Sequence, residues 1–145
     1  MSELDELYSD LIMEHSMSGK NRKGLDHPTC SLLGHNPNCG DEIKLEAIIE
    51  NGIIVDMSYL GHGCAISQSS TSIMIDTLKG KTIEEAKQII STFIKMIKRD
   101  DLTNEELKTL KNARAFQNVS NMPARVKCAL LSWHTLEDLL KTLDK

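Results

Sequence analysis

The stretch from Glu42 to Leu60 constrains the fold more than any other. "EIKLEAII" alternates Ile43, Leu45, Ala47 and Ile49 with Glu42, Lys44 and Glu46, Ile48 being the one exception. "IIVDMSYL" then alternates Ile53, Val55, Met57 and Tyr59. Between them stands Asn51-Gly52, the pair that best tolerates the positive φ angles of a type I′ turn. The pattern predicts an antiparallel hairpin with one apolar face, and that face needs cover.

Helices are available to cover it. Leu4, Leu7, Leu11 and Ile12 recur at helical spacing over residues 3–14, with Tyr8 on the same face, and the glycine-containing "SGKNRKG" stops the helix. Residues 25–41, with Pro28 and Pro37, read as loop with room for a short edge strand. After "GHGC" at 61–64 comes a helix over 65–80 rich in small residues, which suit close packing and end at Gly80. Thr82 and Glu85 form a capping box ahead of a broad stripe of Ala86, Ile89, Ile90, Phe93, Ile94 and Ile97. Thr103 and Glu106 form a second box, opening a short polar helix over about 104–114 that reads as solvated. Pro123 suits the first turn of a last helix whose inward face carries Val126, Leu130, Trp133, Leu140 and Leu143. No repeat, linker or low-complexity stretch divides residues 1–145, so the expectation is one α+β domain with a small antiparallel sheet packed against helices.

Composition narrows the function. The formal charge of −4 gives no basic footprint, and Tyr8, Tyr59, Phe93, Phe116 and Trp133 are too few aromatics for a base-stacking surface. Nucleic acid is therefore not an expected partner. No apolar run approaches the roughly 20 residues that span a bilayer. "MSELDELYSD" has the acidity of no signal peptide, so the expected compartment is the cytoplasm. Thiols stay reduced there, and the 4 cysteines are better read as ligands, nucleophiles or buried fillers than as disulfides.

Three of them fall at element ends. Cys39 lies on the turn "HNPNCGDE" two residues before Asp41, Cys64 on the turn between the second strand and a helix, and Cys128 early in the last helix. Antiparallel pairing brings the start of the first strand and the end of the second together, and with them Cys39 and Cys64. Whether Cys128 joins depends on how its helix docks. The partial positive charge of a helix N-terminus favours a thiolate at Cys64, and Arg125 and Lys127 act in the same direction on Cys128. A thiol beside a carboxylate repels as anions but becomes favourable around a cation. The alternative is that these cysteines are small hydrophobes beside Ala65 and Ala129. Of the other candidates, His62 reads as an exposed loop histidine or an alternative ligand, His15 as a helix-end residue, and His134 lies on a different face from Cys128. "HPTCSLLGHNPNC" offers His27, Cys30, His35 and Cys39 for a second N/S site, at a spacing that matches no common metal pattern.

Three ordered motifs, "NPNCGDEI", "GHGCAISQSSTSIM" followed by "KGKTIEEA", and "RVKCALLSW", resemble the signatures of the SufU/IscU iron–sulfur assembly proteins. "LYSDLIMEH" is similar to the family's N-terminal helix, so the resemblance spans nearly the whole chain. It implies a small antiparallel sheet covered by helices, with Cys39, Asp41, Cys64 and Cys128 as the ligand set for a metal or a cluster. In the IscU type a histidine precedes the third cysteine, whereas here that residue is Lys127. The segment "KRDDLTNEELKTLKNARAFQNVSN" looks like the insertion typical of SufU proteins, and both features point to the SufU-like branch. That branch implies Zn²⁺ binding and sulfur relay from a SufS-type cysteine desulfurase to downstream assembly or recipient proteins, a carrier's task more than an enzyme's. "SMSGKNRKG" replaces the family's usual asparagine-proline after the first helix, and Cys30 has no counterpart in it.

Three thiolates and one carboxylate suit tetrahedral zinc, and a transient Fe–S cluster could use the same ligands. An aspartate in place of a fourth soft ligand predicts a site that opens readily, as handover requires. Cys39, next to that carboxylate, is the expected persulfide acceptor, with Cys128 as the alternative. The competing readings are a structural zinc module that transfers no sulfur, and a zinc hydrolase with Asp41 as base, which the cysteine-rich set disfavours.

Overall fold

The computed structural model describes residues 3–36 and 40–143, with side chains described from residue 10 onward. Helix α1 (Glu3–Ser18) leads into strands β1 (Cys30–Asn36), β2 (Asp41–Glu50) and β3 (Ile53–His62). Helices α2 (Ala65–Leu78), α3 (Ile83–Ile97) and α4 (Asn104–Thr109) follow, then a 3₁₀ segment (Lys111–Asn121) and helix α5 (Pro123–Thr142). The strands form one antiparallel sheet in the order β1-β2-β3. Helix α5 lies across β1 and β2, and α2 packs against β3.

The hairpin turn forms as expected, with Asn51 at φ 54° and Gly52 at φ 76°. The inward face of β3 differs from the simple alternation. Ile48 pairs with Asp56 and Ile49 with Ile54, which leaves Val55 as the extra residue of a bulge. A one-residue insertion reverses the facing of everything beyond it. Ile54 is accordingly buried with Met57 and Tyr59, while Ile53 and Val55 are exposed. The edge strand is also longer than the prolines suggested, with β1 paired to β2 from Cys30↔Ala47 to Asn36↔Asp41. Gly34 makes its packing possible, because a Cβ there would overlap the Thr135 hydroxyl on α5.

Helix α2 is the centre of the molecule. Ser67, Ser69, Ser70, Thr71 and Ser72 are all buried, and their small side chains let α1, α5 and the 3₁₀ segment approach. Most of these hydroxyls find partners: Ser69 donates to Ala65 O at 2.6 Å and Thr71 to Ser67 O at 2.8 Å. Ser70 donates to Ala129 O at 2.6 Å and accepts from Trp133 Nε1 at 3.0 Å, which ties α2 to α5. Trp133 stacks on Phe93 of α3 with centroids 3.9 Å apart. Phe116 meets the same Phe93 edge-on at 6.2 Å, and within the stretch of about 104–114 expected to be polar and solvated Leu110 and Ala113 are buried. Both capping boxes are present, and α4 itself buries no residue. Beyond Leu110 the chain tightens into 3₁₀ turns, which place Ala113, Ala115, Phe116 and Val119 inward.

His15 is buried at the α1–α2 contact and does more than end a helix. Its Nδ1 lies 2.7 Å from Ser72 Oγ, and Nε2 lies 3.8 Å from Asp76 Oδ2. Asn21 adds bonds to Ser72 O at 2.9 Å and Asp76 Oδ1 at 3.1 Å. Burial pushes the His15 pKa below its ordinary 6.5, against the opposing pull of Asp76. The unfolded chain therefore takes up this proton first. Stability is full above the ordinary value and declines as pH falls below it. The expected result is a urea midpoint that drops between about pH 7 and about pH 5, with a shallower drop in His15→Asn. Equal slopes for the two proteins would show that His15 does not carry the effect.

Candidate metal centre

One strand start, one helix start and one helix interior converge at the end of the sheet. Asp41 opens β2 and its side chain takes the inward direction of Ile43 and Leu45, leaving it only 1% exposed. Cys64 is the N-cap of α2, in extended backbone (φ −69°, ψ 168°), and its Sγ accepts from Ser67 N at 3.4 Å. Cys128 lies one turn into α5 and is 1% exposed. One donor atom from each of Asp41, Cys64 and Cys128 lies within 4.8 Å of the others. The docking of α5, open at the level of sequence, thus brings the third cysteine in.

The carboxylate is what joins the parts. Asp41 Oδ1 accepts the backbone N–H of Cys64 at 2.9 Å, satisfying one of the amides that a helix start leaves unpaired. Its Oδ2 lies 3.8 Å from Cys64 Sγ. Thiolate and carboxylate ligands of one tetrahedral zinc stand about 3.5 Å apart, so the observed spacing fits a shared ion. Ser67 Oγ, buried on the first turn of α2, has no partner among the described residues. Gln68 Nε2 donates to Gly63 O at 2.8 Å and holds the turn ahead of Cys64.

Cys39 lies outside the described residues. It sits in the connection bounded by Asn36, which pairs with Asp41, and by Gly40, whose N–H bonds Asn36 O at 2.9 Å. The second N/S cluster does not assemble on its described members. Cys30 opens β1 half-buried, with Sγ 4.0 Å from Ala47 O and its pKa raised by burial. His35 lies an odd number of residues along the same strand and so points to the opposite face. His134 pairs with Glu137 at 3.6 Å, away from Cys128. Gly63, expected only as one of two glycines that let the chain turn sharply in "GHGC", is also where the carboxylate comes close. A Cβ there would stand 2.8 Å from Asp41 Oδ1 and 3.2 Å from Ser67 Cβ. The "GHGC" spacing was its only signal.

The chain matches the NifU-like N-terminal domain over residues 7–143. It belongs to that family. The iron–sulfur cluster assembly scaffold protein IscU of Thermotoga maritima is 37% identical over 139 residues, covering 96% of each chain. The zinc-dependent sulfurtransferase SufU of Bacillus subtilis is 38% identical over 134 residues, covering 92% of this chain and 89% of that one. Among solved structures, a candidate SUF-system scaffold protein from Fervidobacterium islandicum superimposes with a TM-score of 0.86. It is 37% identical, and the match covers 93% of this chain and 97% of that one. A NifU-like protein from Brucella abortus shares the fold at a TM-score of 0.82 with 21% identity. The sheet-and-helix architecture expected from the motifs is the family's.

Gly63→Ala tests how tightly the turn holds Asp41. The fold should survive, since the atoms nearest the new methyl are the Asp41 carboxylate and one serine Cβ, all of them side-chain atoms. Metal retention against a chelator should fall about tenfold or more, a loss of roughly 1.4 kcal/mol, because Asp41 must turn away. Unchanged retention with an unchanged melt would mean that the carboxylate's position does not matter.

Proposed function

We propose that this chain serves iron–sulfur cluster assembly as a zinc-holding sulfur acceptor of the SufU-like type, supplied by a SufS-type cysteine desulfurase. The observation that carries this reading is the convergence of Asp41, Cys64 and Cys128, two thiols and a carboxylate with donor atoms within 4.8 Å. Family membership supports it, as does Lys127 in the position where the IscU type has histidine. Soft thiolates favour zinc or an iron–sulfur cluster over calcium or magnesium. Zinc would be held by Cys64, Cys128 and Asp41 with Cys39 as the fourth ligand. It would supply a positive charge that keeps buried thiols ionised.

Cys39 is our acceptor. Chain geometry alone limits its Cα to within about 7 Å of that of Asp41, two residues on. The Cys39 thiolate attacks the outer sulfur of the desulfurase persulfide. The S–S bond to the desulfurase cysteine breaks, that cysteine leaves as a thiolate, and Cys39 carries the new persulfide. Oxidation state is conserved, since one persulfide is exchanged for another. Cys128, at 1% exposure, is the less accessible acceptor. The carboxylate of Asp41 is the harder ligand and the one whose release costs least.

Incubation with a cysteine desulfurase and cysteine, followed by mass spectrometry, metal analysis and a visible spectrum, tests the reading. The expected result is zinc retained with persulfide on Cys39, and loss of desulfurase stimulation in Cys39→Ser. A stable brown, iron-containing protein without persulfide would overturn relay in favour of the scaffold role. Zinc with neither persulfide nor stimulation would overturn both in favour of a structural module. Asp41→Ala should fold and exchange zinc at a changed rate. An unchanged rate would remove the carboxylate from the ligand set.

A further inference from the structure

We propose that the open face of the sheet carries a second, exposed site for a divalent transition-metal cation, built from His35, Glu42 and His62. The strand register sets the three in one row. His35 of β1 lies opposite Glu42 of β2, and Glu42 lies opposite His62 of β3. Opposed residues of antiparallel strands project from the same face with Cβ atoms about 4.5–5.5 Å apart. That face is the outer one. Asp41 and Ile43, on either side of Glu42, are buried, whereas the His62 side chain is 70% exposed and that of Glu42 44%. His35 is exposed as well.

Two imidazoles and a carboxylate form a donor set suited to zinc, iron(II) or nickel, harder than the thiol set on the other face. The central residue supplies the charge and the two outer ones the nitrogens. His62 Nε2 already stands 3.7 Å from Glu42 Oε2, so one half of the set is drawn together. A cross-strand ion pair accounts for those two residues but not for an imidazole on the far side of the same carboxylate. The three donor atoms do not yet lie within 4.8 Å of one another, and the exposed His35 ring would close the set by turning to another staggered rotamer. The neighbouring row on this face is Leu33, Lys44 and Leu60, which offers no ligand, so the ion stays at the end of the sheet. This row also adjoins the thiol set, Glu42 following Asp41 and His62 preceding Cys64 by two residues. Its role is to gather a divalent cation beside that set. None of its three side chains belongs to the thiol set.

Zinc is the probe, with the full chain titrated beyond one equivalent by calorimetry and the histidine ring signals followed by NMR. The expected result is a second equivalent that moves the His35 and His62 signals together. Glu42→Gln and His35→Ala should each weaken that equivalent about tenfold or more while the first equivalent and the melting temperature stay as they were. Should the thiol set take no zinc, the same ring shifts arrive with the first equivalent, so failure of one site is distinguishable from failure of the other. Absence of ring shifts at millimolar zinc would overturn the proposal. So would a second equivalent of undiminished affinity in the His35→Ala/His62→Ala double variant.

Discussion

The hydrogen bond from the Cys64 N–H to the Asp41 carboxylate is the joint on which the site depends. It fastens the first residue of β2 to the start of α2 across the end of the hairpin, with the carboxylate itself buried and Cys64 partly exposed. A buried carboxylate left unpaired is costly, whereas one that accepts a helix-start amide is favourably placed in the N-terminal field. The same bond orients the second carboxylate oxygen toward Cys64 Sγ. One interaction therefore settles both local folding and ligand geometry. Gly63 is constrained in consequence, since the carboxylate occupies the space that a side chain would need.

Much of the architecture was legible because it rests on local chemistry. Asn51-Gly52 adopts the two positive φ angles that its residue types favour, and Thr82 and Thr103 cap their helices through their own side chains. What was not legible depends on contacts distant in sequence. The bulge at Val55 reverses the facing of Ile53 and Ile54, and no residue type there announces it. Phe116 lies in a polar-looking segment and is recruited to the core by Phe93. His15 gains its partners from Ser72 and Asp76, more than fifty residues on.

The site divides along the same line. Asp41 and Cys64 were legible because a hairpin joins its own two ends, so proximity followed from strand pairing. Cys128 required the docking of α5, which rests on Trp133, on the Ser70 bridge and on the absence of a side chain at Gly34. The cluster imagined around Cys30 and His35 fails for an elementary reason. Once residues 30–36 form a strand instead of a loop, the two side chains point to opposite faces.

That alternation has a further consequence at the sheet's end. Asp41 turns inward and Glu42 outward because neighbouring strand residues must, so two carboxylates adjacent in sequence serve different environments. The inner one lies buried beside the thiols of Cys64 and Cys128. The outer one faces the His62 imidazole at 3.7 Å on an exposed face. A strand end with soft thiols on one face and harder, exposed groups on the other offers two different environments at one place. The separation is steric as well as chemical, since the backbone of β2 lies between the two sets.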